Sequence, residues 1–97
     1  MILINVTAPK VYDEKSNKVV ESTKELVITI AGDTYPIKER LKELGFYYAN
    51  NDWCRLVDRA WFKANAYHFL RGIAKEFNSR PSFVGGQATI AVNNLDK

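Results

Sequence analysis

The sequence predicts an α+β domain of the ferredoxin-like kind, a four-stranded antiparallel sheet with two helices on one face. Three observations lead there. Glu25–Ala31, ELVITIA, alternates with a period of two and is dense in β-branched residues, as a central strand requires. The next stretch changes to helical spacing, opens on Pro36 and closes on Gly45. Two aromatic, β-prone pieces, a second helical stretch and a last alternating segment follow, so the order from Glu25 onward is βαββαβ.

The bulk numbers bound this picture. Ninety-seven residues make one domain. With 46% hydrophobic and 26% charged residues, the chain can bury a core without disulfides or metal. A net charge of +3 permits contact with phosphates without demanding it. The single cysteine, Cys54, points to a reducing compartment. The opening MILINVTAPK is apolar but short and has no basic flank, so neither a signal peptide nor a membrane span is expected. The expected setting is the cytoplasm of a bacterial host cell.

Residues 1–24 read as an N-terminal strand and a β-hairpin arm, 25–93 as the core, and 94–97 as a frayed tail. Ile2, Ile4 and Val6 share one face of the first strand, and Pro9 marks it as an edge strand. Lys10–Tyr12 and Lys18–Val20 flank a polar turn in which Asn17 accepts positive φ. In a ferredoxin-like sheet the first core strand lies between the third and fourth, so the N-terminal strand either extends an edge or displaces the last strand.

The first helix takes Thr34 or Tyr35 as N-cap and Pro36 in its first turn, where the missing N–H is harmless. Ile37, Leu41 and Leu44 form its buried stripe. Gly45 is the left-handed C′ residue, with Phe46 folding onto Leu41. Phe46 and Tyr48 then face the core and Tyr47 the other side. The next turn falls at Asn50–Asp52 or at Val57–Arg59. The second position is preferred, with a third strand over Arg59–Lys63 that buries Ala60 and Phe62. The second helix spans about Asn65 to Phe77 with Tyr67, Leu70, Ile73, Ala74 and Phe77 inward, and Gly72 suggests tight packing. Gly85-Gly86 is a turn before a last strand, Gln87–Asn93, with Ala88, Ile90 and Val92 inward.

On this assignment the uncovered sheet face carries Val27, Thr29, Tyr47, Arg59, Trp61, Lys63, Gln87 and Thr89. Aromatic rings beside cations suit single-stranded nucleic acid, because bases stack on the rings while Arg and Lys hold phosphates. Tyr47 and Trp61 are the expected stacking residues. Arg59, Lys63 and Arg55 are the expected phosphate contacts, and Lys38 and Lys42 lengthen the basic track. The bland alternative buries Trp61 under the arm and Trp53 in a core corner, and leaves Lys38 and Lys42 in local ion pairs with Glu39 and Glu43.

Enzyme chemistry finds little support. His68 stands alone, Cys54 has no histidine partner at a plausible spacing, and one His with one Cys makes no metal site. Gly85-Gly86 lacks the Lys-Ser/Thr of a P-loop. No cofactor, metal or catalytic residue is expected. RAWFK also lacks the glycine and aromatics of an RNA-recognition motif.

Gly32-x-Thr34-Tyr35-Pro36-x-Lys38, Leu41-Lys42-x-Leu44-Gly45-Phe46, an aromatic strand and Ala60-Trp61-Phe62 together resemble a small module of phage and mobile-element proteins. They are distantly similar to the HARP domain of annealing helicases. The resemblance covers about a third of the chain. It implies DNA metabolism or host takeover and a phage origin, and defines no catalytic residue. The chain departs from the pattern in a longer insert, Ala49–Val57. Two functions follow as expectations. The first is a non-enzymatic accessory protein that binds single-stranded DNA or RNA. The second is a module that captures a host protein, through the arm around Tyr12, Lys15 and Asn17 or through an exposed edge strand, by strand addition or homodimerisation.

Overall fold

The computed structural model describes residues 1–95. Seven strands and three helices follow one another: β1 (Ile2–Thr7), β2 (Lys10–Asp13), β3 (Lys18–Glu21), β4 (Glu25–Gly32), α1 (Lys38–Glu43), β5 (Tyr47–Ala49), β6 (Asp52–Asp58), α2 (Arg59–Glu76), β7 (Pro81–Val84) and α3 (Gly86–Asn93). Five strands form one mixed sheet in the order β5-β6-β4-β1-β7. All neighbours are antiparallel except β1 and β7. β2 and β3 pair only with each other, as the arm.

The alternation of the strands sets the layers. Ile4, Val6, Leu26, Ile28 and Ile30 are fully buried on one face of the sheet. Leu41 of α1, Phe62, Ala66, Leu70 and Ile73 of α2, and Ala88 and Ala91 of α3 complete the same core. All three helices therefore cover one face. Among the described residues no helix covers the other face.

The sheet order is not that of a four-stranded ferredoxin-like sheet, because β1 stands between β4 and β7. The N-terminal strand is thus an inner strand and not an edge, in the place beside β4 that a ferredoxin-like sheet gives to its last strand, which is the second of the two arrangements the sequence allows. Pro9 does not prevent this, since it falls two residues beyond the last paired position, Thr7, and removes no donor from the ladder.

Two further expectations are corrected. Arg59–Lys63 is the start of α2, and no strand. Its N-cap is Asp58, whose side chain accepts from the Trp61 amide at 2.6 Å; Asn65 lies well inside the helix. The turn before it falls at Asn50–Asn51, both with positive φ, as asparagine tolerates. Gln87–Asn93 is likewise helical, within α3. The strand on this side is β7, ahead of Gly85, which the sequence reading left out. In α3 Ala88 and Ala91 face inward and Ile90 outward; in α2 Ala60 and Tyr67 are exposed. Gly72 packs against nothing: a Cβ there would meet no atom within 4 Å.

The link from α1 to β5 follows the sequence. Thr34 precedes a single 3-10 turn, Tyr35–Ile37, that leads into α1; its side chain makes no capping hydrogen bond, and the N-cap of α1 itself is Ile37 rather than the expected Thr34 or Tyr35. Gly45 has φ +89°. Its amide bonds the Lys42 carbonyl at 3.1 Å and the Phe46 amide bonds that of Leu41 at 2.9 Å, the pair of bonds that defines a Schellman end. Of the expected frayed tail, Asn94–Leu95 are described, and positions 96 and 97 lie outside the described residues.

Candidate functional site

Three aromatic side chains and two lysines converge where α1 meets the β5–β6 hairpin. Thr34, Tyr35, Lys38, Lys42, Tyr48 and Trp53 enclose a cleft of about 430 Å³. Each is placed by local structure. The 3-10 turn presents Tyr35, which is 78% exposed. Lys38 and Lys42, one turn apart on α1, fall on the same side. Tyr48 and Trp53 are opposite each other across the hairpin. Their rings meet edge to face at 5.4 Å. Trp53 is 8% exposed and forms the floor, whereas Tyr48 is 59% exposed and forms a wall.

The cleft is cationic as well as aromatic. Lys38 Nζ lies 4.4 Å from the Tyr35 ring centroid. Lys42 Nζ is 3.3 Å from Glu39, an exposed contact of the weak i,i+3 kind. Among the described residues no carboxylate lines the cleft. The lining offers aromatic faces on which flat rings can stack and ammonium groups able to neutralise a negative charge.

The structure divides the expected site residues. Lys38 and Lys42 line the cleft. Tyr47 lies on the sheet face away from the helices together with Val27 and Thr29, as expected. Arg59, Trp61 and Lys63 do not lie on that face, because they belong to α2. Arg59 Nη2 donates to Gln87 Oε1 at 2.8 Å and to the Ser22 carbonyl at 3.3 Å, tying the arm's base to α3. Trp61 is half-buried against Phe69, with ring centroids 5.6 Å apart. Lys63 is exposed. Arg55 points to the helix side of β6, where its guanidinium lies 4.5 Å from the Trp61 ring and 4.9 Å from that of Phe69. Gln87 and Thr89, expected beside them, lie on α3. In the arm, Tyr12 bonds Asn17, and Asn17 takes φ +57° in the turn that also presents Lys15.

The reading missed Tyr35, Tyr48 and Trp53 as site residues, having placed them as a cap, a core residue and a core corner. The signal was the Asn50-Asn51 pair. A hairpin closed there sets Tyr48 against Trp53 and carries both beside α1.

Elsewhere the chemistry is sparse. Burial, and then the nearby Asp52, push the Cys54 thiol above its ordinary pKa, so it is a poor nucleophile at neutral pH. His68 is exposed beside Tyr67, with ring centroids 5.5 Å apart. Among the described residues no group of three or more His, Cys, Asp or Glu is placed to hold a metal ion. No described helix is long and apolar enough to cross a membrane. A second hollow of about 280 Å³ lies between α2, β7 and α3. Its walls include Leu70, Phe83 and Val92, and its Arg71 is already bonded to Tyr67 at 2.8 Å.

No protein-family model matches the chain, and no curated protein or solved structure matches it closely enough to count as similar.

Proposed function

We propose that the protein is a non-enzymatic binder of single-stranded nucleic acid, and that it binds through the α1/β5–β6 cleft rather than through the sheet face. The convergence of Tyr35, Tyr48 and Trp53 with Lys38 and Lys42 around one opening carries this reading. Unpaired bases offer flat rings to Tyr35 and Tyr48, and the adjoining phosphates meet the two ammonium groups. Each stacked base contributes roughly 1–3 kcal/mol, without regard to sequence. The lysines add an attraction that weakens as salt rises, because binding releases counterions from the strand. Duplex DNA does not offer an unstacked ring to such a cleft.

Tryptophan fluorescence on titration with a single-stranded oligonucleotide, at low and at physiological salt, tests the proposal. Saturable quenching is expected, with an affinity that falls at higher salt and falls further in Tyr48→Ala. Unchanged fluorescence at low salt, or full affinity in both Tyr48→Ala and Lys42→Ala, removes this function.

The arm supports a second reading, capture of a host protein. Val11, Tyr12, Val19 and Val20 are all exposed. A two-stranded ribbon is marginal by itself in water, and its free edges suit strand addition. Under this reading Tyr12, Lys15 and Asn17 contact the partner, and deletion of Lys15–Asn17 abolishes a complex that survives high salt while the fold persists.

A further inference from the structure

The hollow between α2, β7 and α3 is apolar except at one place. On α2 the residues that line it include Ala66, Leu70 and Ala74, each one turn beyond the last and so on one side of the helix. Alanine at both ends of that stripe leaves a gap that a longer side chain would close. Pro81 and Phe83 of β7 and Val92 of α3 stand around it. Ala66 and Leu70 are buried and form the floor. At about 280 Å³ the gap is larger than the voids a well-packed interior leaves. It equals the space of about nine waters at roughly 30 Å³ each. Water finds few partners along such walls, and an apolar space of this kind takes an apolar guest.

The exception is the pair Tyr67 and Arg71, which also line the hollow. Both are exposed, so they border its mouth rather than its floor. Arg71 Nη1 donates to the Tyr67 hydroxyl at 2.8 Å, and its guanidinium carbon lies 5.7 Å from the ring centroid. Because the Tyr67 oxygen accepts this bond, its own proton is left to be donated. A guanidinium has five N–H donors, of which this bond uses one. Hydroxyl and guanidinium thus stand together with donors to spare, and arginine holds carboxylates through paired N–H bonds. Among the described residues that line the hollow, Arg71 brings the one positive charge and none brings a negative one.

We propose that the hollow binds a small carboxylic acid with an apolar tail, the tail filling the gap and the carboxylate meeting Arg71 and Tyr67. The space limits the tail to about eight carbons; a long fatty chain would leave most of its methylenes in water. One cation calls for one negative charge, which a carboxylate carries and a phosphate monoester exceeds. An uncharged molecule of the same shape fills the gap but gains nothing from Arg71. The hollow shares no lining residue with the α1/β5–β6 cleft, so this site and the proposed nucleic-acid site stand or fall separately.

Titration of the full chain with octanoate, followed by NMR through the methyl groups of Ala66, Ala74 and Val92, tests the proposal. Saturable shifts are expected, with a dissociation constant of roughly 0.1–1 mM. Each buried methylene lost weakens binding about fourfold, so hexanoate should bind about tenfold more weakly. Octanol, with the same tail and no charge, should also bind at least about tenfold more weakly than octanoate. Arg71→Gln is expected to remove that preference, and far-UV circular dichroism checks that it folds. Ala74→Leu fills the gap and should weaken octanoate and octanol alike, at least about tenfold; should it not fold, Arg71→Gln is read alone. The proposal is overturned if these methyl groups show no saturable shift up to about 10 mM. It is equally overturned by octanol binding as tightly as octanoate, by a folded Arg71→Gln that keeps the preference, or by a folded Ala74→Leu that binds as wild type does.

Discussion

The Arg55 guanidinium donates to the Leu44 carbonyl at 3.0 Å. Leu44 is the C-cap of α1, and its carbonyl belongs to the last turn of a helix, where partners are lacking. Arg55 therefore holds α1 to the sheet while its flat face packs on Trp61 and Phe69. A charged hydrogen bond of this kind and the cation–π contact each contribute, so Arg55→Ala is expected to lower stability by about 2 kcal/mol. Urea unfolding measures the loss. Oligonucleotide affinity in the folded variant should stay within about twofold, because Arg55 lies outside the cleft.

Tyr48 and Lys42 should differ in how salt affects their loss. Tyr48→Ala removes a stacking surface and is expected to cost roughly 1–3 kcal/mol of binding at every salt concentration. Lys42→Ala removes a phosphate contact, so it lowers affinity most at low salt and makes the logarithmic salt slope shallower by about 0.7. Titrations at three ionic strengths separate the two. Equal slopes in wild type and Lys42→Ala would show that Lys42 touches no phosphate.

Two glycines predict opposite outcomes. Gly45 needs positive φ to end α1, so Gly45→Val should destabilise by about 1–2 kcal/mol. Gly72 is exposed in the middle of α2 with free space around it, so Gly72→Ala should stabilise by about 0.5–1 kcal/mol. Thermal melts of both variants check the contrast.

Acid should loosen the contact between α1 and α2. Arg40 holds Glu76 through two hydrogen bonds of 2.8 and 3.1 Å. The Arg40 hydrogen bond keeps the Glu76 carboxyl below its ordinary pKa; burial opposes it, and the charge of Arg40 adds to it. A carboxyl lowered on folding stabilises the fold above its unfolded pKa, and the gain disappears as pH falls through the folded one. Glu76→Gln should thus be less stable than wild type at neutral pH and equal to it well below the carboxylate range. Urea midpoints across that interval show whether the two curves merge.

Local chemistry was legible in the sequence where it decides the structure by itself. The Gly45–Phe46 helix end, the arm with its Asn17 turn, and the buried alternation of β4 all stand as read. RAWFK was misread because Ala60 and Phe62 alternate, yet Phe62, Ala66, Leu70 and Ile73 continue at helical spacing, and Asp58 stands three residues before the amide it caps. Short apolar runs fit both periods; the longer window decides. QATIAVN is the same case with fewer residues: Ala88 and Ala91 are inward at a spacing of three, but a strand reading selects Ala88, Ile90 and Val92. The position of β1 could not be read locally at all, since it depends on pairing with a strand at the other end of the chain. The cleft was lost with the misplaced turn, because Tyr48 and Trp53 are neighbours only when the chain reverses at Asn50–Asn51.

The parallel pairing of β1 with β7 also fixes an order of events during synthesis. β1 can pair with β4 as soon as Gly32 has left the ribosome, since their register runs from Ile2–Gly32 to Thr7–Val27. Its other edge waits for Pro81 to Val84, and the Ser79 hydroxyl reaches the Ile2 carbonyl across 77 positions of sequence. Until then an inner strand behaves as an open edge, able to pair with any other chain nearby. Contacts of such long range form late and slowly, so the nascent protein is most prone to aggregation until Pro81–Val84 have emerged and paired with β1.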